Sequence, residues 1–240
     1  MGNKYDKWIK LFFSILLISG ILMIFNQPIR DYVVKKNTEN LTVKHFSAGD
    51  IKKNQELTEK EAAKKSSDIV SFDIEAVKPI STSSTLHAMA NRKKYPVVAG
   101  IAIPSVEINL PIFIGLANDA LHFGVGTLTN GQVMGKGNYA LAGHRAENPA
   151  ALFSPLEHLQ MGSDIYLTDL QNVYIYKTIL KKKVAPTETY LLDEVAGQTV
   201  VTLITCGESE GITRIVVQGQ LEQVIPVREL TKEMEQAFEI

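Results

Sequence analysis

Between residues 96 and 219 the chain is written as short apolar or alternating runs, each stopped by Gly, Pro, Asn or Asp. Alternation with a period of two, in runs rich in Val, Ile, Thr and Tyr, is the pattern of strands that bury one face. It predicts strands over 97–103, 107–113, 139–143, 164–168, 173–184, 199–205 and 212–219, with short helical turns over 118–123 and 151–158. Many short strands with few long helices fit an all-β barrel or sandwich better than a βαβ fold. Residues 228–238 suit a terminal amphipathic helix, and no internal repeat is visible.

The N-terminus has a different texture. Residues 11–25 form an unbroken apolar run preceded by Lys4, Lys7 and Lys10. With flanks that can snorkel, such a run just spans a hydrocarbon layer of about 30 Å. No small-x-small cleavage site follows it, so an uncleaved anchor is favoured over a signal peptide or a buried core helix. The preceding lysines favour an N-terminus inside and the remainder outside, although Arg30, Lys35 and Lys36 weaken that inference. Residues 31–95 are rich in Lys, Glu, Asn, Ser and Thr and read as an extracytoplasmic stalk that supplies no core. Within them, residues 57–65 suit a surface helix with Thr58 as its N-cap.

The formal net charge is −1, which leaves no basic field to hold nucleic acid by its phosphates. The chain has one cysteine, Cys206, so no disulfide can form within it. In an exported protein a lone thiol calls for an explanation. Cys206 ends the apolar run Val200-Val201-Thr202-Leu203-Ile204-Thr205, which sets the thiol on the rim of a sheet. Free cysteine is also among the most buried residue types, so a packing role is the competing reading.

A nucleophilic thiol needs a base or a cation nearby. Of five histidines, His45 and His87 fall in the stalk, and His122 and His158 fall in helix-like segments where packing is the simpler role. His144 differs, because it follows the strand-like Asn138-Tyr139-Ala140-Leu141-Ala142-Gly143 and precedes a polar loop. Acyl transfer also needs a group to hold the oxyanion. Arg214 opens the strand after the Cys206 loop, and if the two strands pair as neighbours their ends bring it back to the thiol.

These segments resemble one family. Thr202-Leu203-Ile204-Thr205-Cys206 is similar to the sortase signature Thr-Leu-x-Thr-Cys, and residues 138–145 resemble the segment around the sortase catalytic His. Residues 211–219 resemble the strand bearing the family's Arg, and residues 103–113 its opening strands. The resemblance runs in order over about residues 96–219 and is to the class A, housekeeping, type. It implies an eight-stranded β-barrel and a two-step transpeptidation. Cys206 would cleave a Leu-Pro-x-Thr-Gly sorting signal between Thr and Gly, and an amine of a peptidoglycan cross-bridge or of lipid II would resolve the thioacyl-enzyme. His144 would serve as acid and base, Arg214 would hold the oxyanion, and Ala142 and Thr205 match positions that line the sorting-signal groove.

Four parts are expected: 1–30 a cytoplasmic tip and anchor, 31–95 the stalk, 96–226 the catalytic barrel and 227–240 a helical tail. Single-pass anchoring in a Gram-positive cell membrane, with the barrel outside, follows from the same reading. In one branch of the family, calcium held by acidic residues before the His-bearing strand promotes activity. Residues 129–136 here contain no Asp or Glu, so no cofactor and calcium independence are expected. The Asp-Pro-aromatic lid element and second hydrophobic span of pilus-building sortases are also missing from the sequence. A hydrolytic cysteine peptidase with the same residues, and a non-enzymatic β-barrel binding module, remain the alternatives.

Overall fold

The structure is a computed structural model that describes residues 2–64, 69–208 and 211–240. Its centre is a closed eight-stranded barrel. The strands are β1 (Ala99–Ile103), β2 (Ile108–Phe113), β3 (Val125–Thr127), β4 (Asn138–Gly143), β5 (Asp164–Thr168), β6 (Asn172–Val184), β7 (Val200–Cys206) and β8 (Arg214–Pro226). Around the barrel they run β1-β2-β3-β4-β7-β8-β6-β5, and β5 pairs back onto β1. Closure removes the unpaired edges that an open sheet of this composition would expose. The pairs β2/β3 and β4/β7 are parallel and the others antiparallel.

Alternation along each strand fills the interior. Ile101, Ile103, Ile112, Leu141, Ile165, Leu167, Val201, Leu203 and Val217 form one continuous core with Phe153, Leu156 and Tyr176. The seven strands expected from the sequence are all present, with ends that shift by one or two residues, apart from the last, which starts two residues later and runs on to Pro226. The eighth, β3, is three residues long, too short to show a period, and lies between Gly124 and the β3–β4 loop. It is made possible by Gly126, where an added Cβ would lie 2.0 Å from the Gly115 carbonyl oxygen.

Helices flank this barrel: α1 (Gly2–Glu39), α2 (Ala48–Ala62), α3 (Thr82–Asn91), α4 (Asn118–Leu121) and α5 (Lys232–Phe238). No single helix among the described residues is long and apolar enough to cross a membrane. The two arms Lys7–Ile21 and Met23–Glu39, bent by 45°, reach that length and composition only together.

Two expectations for the segment before Pro96 are corrected. It does supply core: Val43, Ile51 and Ala88 are fully buried, and Val43 packs with Tyr166, Val173, Ile225 and Phe238. Gly100 permits this approach, since a Cβ there would meet Val43 at 2.6 Å. Isolated apolar residues among lysines and glutamates have no period for a sequence reading to find. The helix also starts earlier than expected. Ser47 and Asp50 form a reciprocal capping box at the start of α2, and Thr58 is a buried residue of its interior whose hydroxyl donates to the Asn54 carbonyl at 2.8 Å. Lys65, the expected end, lies outside the described residues.

Candidate active site

Strand register brings the three chemically capable side chains to one rim. The parallel β4/β7 ladder pairs Ala142 with Ile204, and two residues further along the two chains stand His144 and Cys206. The antiparallel β7/β8 ladder ends on the pair Cys206 and Arg214. Three adjacent strands therefore present His144, Cys206 and Arg214 side by side. Glycines allow the close packing at this rim. A Cβ on Gly143 would meet the Phe153 ring at 2.7 Å, and one on Gly207 would meet the Thr213 hydroxyl at 2.1 Å.

All three line a cavity of about 410 Å³, and Ala142 and Thr205 line it too. All five site residues expected from the sequence are thus brought together. The cavity's other wall comes from outside the barrel: Arg30 and Val34 of α1, and Val77 and Ile80 of the segment before α3. Val77 packs on the cluster that includes Leu116, Leu121, Ala142 and Ile204. The Asn118 side chain holds this segment by both its atoms, accepting from the Lys78 N–H at 2.7 Å and donating to the Ala76 carbonyl at 2.9 Å. Arg30 also pairs with Glu147 of the loop after His144, at 2.6 Å.

The site is dry on one side and polar on the other. His144 is 8% exposed, and its Nε2 is buried without a hydrogen-bond partner among the described residues. Burial first, and the neighbouring His122 second, push its pKa down to about 4, so the ring is neutral at neutral pH. Cys206 is partly exposed, as a nucleophile that must meet a large substrate requires. Arg214 donates from Nη1 to the Gly211 carbonyl at 2.7 Å and to its neighbour Thr213's carbonyl at 3.1 Å. Glu208 in turn accepts from the Thr213 N–H at 3.0 Å and hydroxyl at 2.7 Å, and pairs with Lys183. Those hydrogen bonds from Lys183 and Thr213 hold its pKa down to about 2. Residues 209 and 210, part of the Gly/Ser/Glu-rich loop expected after the thiol, lie outside the described residues.

The remaining histidines follow the expectation except at His158. His158 is exposed rather than packed, and His45 is exposed as well. His87 pairs with Asp119 at 3.0 Å. His122 is buried, as expected, but its ring lies edge-on to that of His144 with centroids 6.0 Å apart. Nothing in the sequence signals that contact, because it depends on α4 folding over the end of β4. Among the described residues, no three His, Cys, Asp or Glu side chains come together in a way that could hold a metal ion.

Comparison with known proteins agrees with this geometry. Residues 101–222 match the Sortase domain family. The chain is 40% identical over 225 residues to Sortase A of Streptococcus agalactiae serotype III (strain NEM316), covering 92% of this chain and 86% of that one. It is 39% identical over 225 residues to Sortase A of Listeria monocytogenes serovar 1/2a (strain ATCC BAA-679 / EGD-e), covering 93% and 95%. The crystal structure of Listeria monocytogenes sortase A superimposes with a TM-score of 0.55 at 42% identity, over 59% of this chain and 97% of that one. The chain belongs to the sortase family, in its class A branch.

Proposed function

We propose that this protein is a cysteine transpeptidase that cuts a Leu-Pro-x-Thr-Gly sorting signal between Thr and Gly and joins the Thr carbonyl to an amine. The observation that carries the reading is the alignment of His144, Cys206 and Arg214 on three neighbouring strands, at the mouth of one cavity. The family membership of the chain supports the same reaction class.

The chemistry follows from the environments of the three groups. The neutral His144 ring accepts the Cys206 proton as sulfur attacks the Thr carbonyl carbon. Negative charge then develops on the carbonyl oxygen, where the Arg214 guanidinium stabilises it. The His144 imidazolium, which burial makes a strong acid, gives its proton to the Gly nitrogen as the C–N bond breaks. A thioester on Cys206 remains. An incoming amine repeats the sequence in reverse, losing its proton to His144 and expelling the thiolate. Ala142 and Thr205 border the reacting groups, and the apolar wall of Val77, Leu116, Leu121 and Ile204 suits the Leu-Pro end of the signal.

The clients in this proposal are surface proteins bearing the signal, and the natural amine is that of a peptidoglycan cross-bridge or lipid II. Residues 96–226 form the catalytic unit, and α1 anchors it in the membrane. Leu11, Phe12, Phe13, Ile15, Leu16, Leu17 and Ile18 are exposed on all sides of that helix, which is costly in water and favourable in hydrocarbon. The reaction needs no calcium in this account, since the 129–136 loop offers no carboxylate, and a chelator is expected to leave the rate unchanged.

The test is product analysis by mass spectrometry with a Leu-Pro-x-Thr-Gly peptide, with and without oligoglycine or Ala-Ala. A new Thr–amine bond that is absent with Cys206→Ala supports the proposal. Cleavage indifferent to the amine identifies a peptidase, and a thiol that resists alkylation until unfolding identifies a binding module.

A further inference from the structure

We infer that His122 is a positioning residue for His144, itself fixed by Ser84 of α3, so that a helix outside the 101–222 family match helps to order the active-site imidazole. This rests on His144 being the proton-transfer group of the proposed reaction. The two rings meet edge to face at 72° in a buried contact. Among the described residues the Nε2 of His144 has no hydrogen-bond partner, so that nitrogen does not anchor the ring. His122, by contrast, is held at both nitrogens. Its Nδ1 lies 2.7 Å from the Asn118 carbonyl oxygen and so carries a proton, and its Nε2 lies 2.9 Å from the Ser84 hydroxyl oxygen. A ring held at both nitrogens is set against one whose Nε2 is unpartnered among the described residues.

Burial favours the neutral form of His122, and in that form the Ser84 hydroxyl can donate to its Nε2. The same oxygen lies 3.0 Å from the Ser81 carbonyl, to which it can donate. One hydroxyl proton cannot serve both acceptors. When it points to His122, that ring is a neutral acceptor; when it points to Ser81, Nε2 must itself be protonated to keep its hydrogen bond. A cation there, 6.0 Å from His144 in a water-poor site, opposes a second charge on His144. The other charged groups facing His122 are His87 on α3 and Asp119 on α4, which pair with each other. Those around His144 are Cys206, Arg214 and Arg145 on the rim, with the Arg30–Glu147 pair and the Lys183–Glu208 pair further out. None of these other groups makes a ring contact with His144, which leaves His122 as its aromatic neighbour among the described residues.

The experiment is an NMR titration of the His144 ring in the full chain in detergent micelles, for wild type, His122→Phe and Ser84→Ala, beside the pH profile of kcat/KM for each. His122→Phe keeps the volume and the aromatic edge but removes the fixed, chargeable partner. The His144 midpoint is expected to rise by about half a unit or more, and kcat/KM at neutral pH to fall about tenfold with little change in KM. Ser84→Ala is expected to shift the midpoint by less and to lower kcat/KM by less. Because Ser84 also caps α3, its effect is read from the titration rather than from stability. A folded His122→Phe protein with an unshifted midpoint and an unshifted profile overturns the inference, even if its Tm falls. If that variant does not fold, an unshifted midpoint in Ser84→Ala overturns it instead. The titration needs no turnover, so it separates a failure of this inference from a failure of the transpeptidase reading.

Discussion

Cys206 and Arg214 are direct partners on the last rung of the β7/β8 ladder, so the thiol and the guanidinium leave the barrel from the same level of adjacent strands. Eight positions separate them in sequence, and the loop between them is closed by hydrogen bonds from the Gly207 N–H to the Thr213 carbonyl and from the Gly211 N–H to the Glu208 carbonyl. Arg214→Ala is expected to lower kcat/KM by about 10²–10³-fold, the scale of losing an oxyanion donor. Arg214→Lys keeps the charge but not the forked donors, and is expected to recover only part of that loss. Steady-state kinetics on a sorting-signal peptide, with thiol alkylation to verify an intact site, checks both.

Burial of His144 predicts a pH dependence of stability with a definite sign. Its folded pKa, about 4, lies below the ordinary histidine value of 6.5. Between those pH values the unfolded chain binds more protons than the folded one, so the contribution is whole above about pH 6.5 and drains away as pH falls towards 4. The full shift corresponds to roughly 3 kcal/mol. His122 is lowered in the same direction, first by burial. Urea midpoints at pH 7 and pH 4.5 are expected to differ clearly in the wild type and by less in His144→Asn. Equal differences in the two proteins would contradict the assignment.

Glu208 ties the Cys206 loop to Arg214 through Thr213. Glu208→Gln removes the charge behind those bonds and its pair with Lys183, and is expected to lower kcat/KM about three- to tenfold through a looser loop. The folded carboxylate's pKa of about 2 lies below its ordinary 4.5, so this tie is complete above about 4.5 and is lost only as pH falls towards 2. The ratio of wild-type to variant kcat/KM is therefore expected to stay constant from pH 5 to pH 8, and a ratio that varies over that range would count against the tie.

Most of the barrel, and the gathering of the five expected residues on one rim, were legible because their signals are local. Val200 to Thr205 is a β-branched, apolar run that stops at Cys206, and the ends of β4 and β8 are marked by Gly143 and by the turn before Arg214. What was not legible depends on long-range packing. β3 exists because Gly126 lets two backbones approach, and three residues carry no period. Val43 and Ile51 are single apolar residues in a charged stretch, buried only because the barrel offers Gly100 and Phe113 as surfaces. Thr58 has the chemistry of a cap, yet its hydroxyl turns back to Asn54 inside a helix that began at Ser47. His122 looked like a packing residue and is one, but the ring it packs against is His144.

The central claim is a thioester on Cys206, and intact-mass spectrometry of the full chain tests it most directly. Incubated with a Leu-Pro-x-Thr-Gly peptide and no amine, the protein is expected to gain the mass of the Leu-Pro-x-Thr acyl group and to lose it on addition of oligoglycine. Cys206→Ala should show no adduct. Cleavage of the peptide without any adduct, or an adduct that persists in Cys206→Ala, would contradict the account.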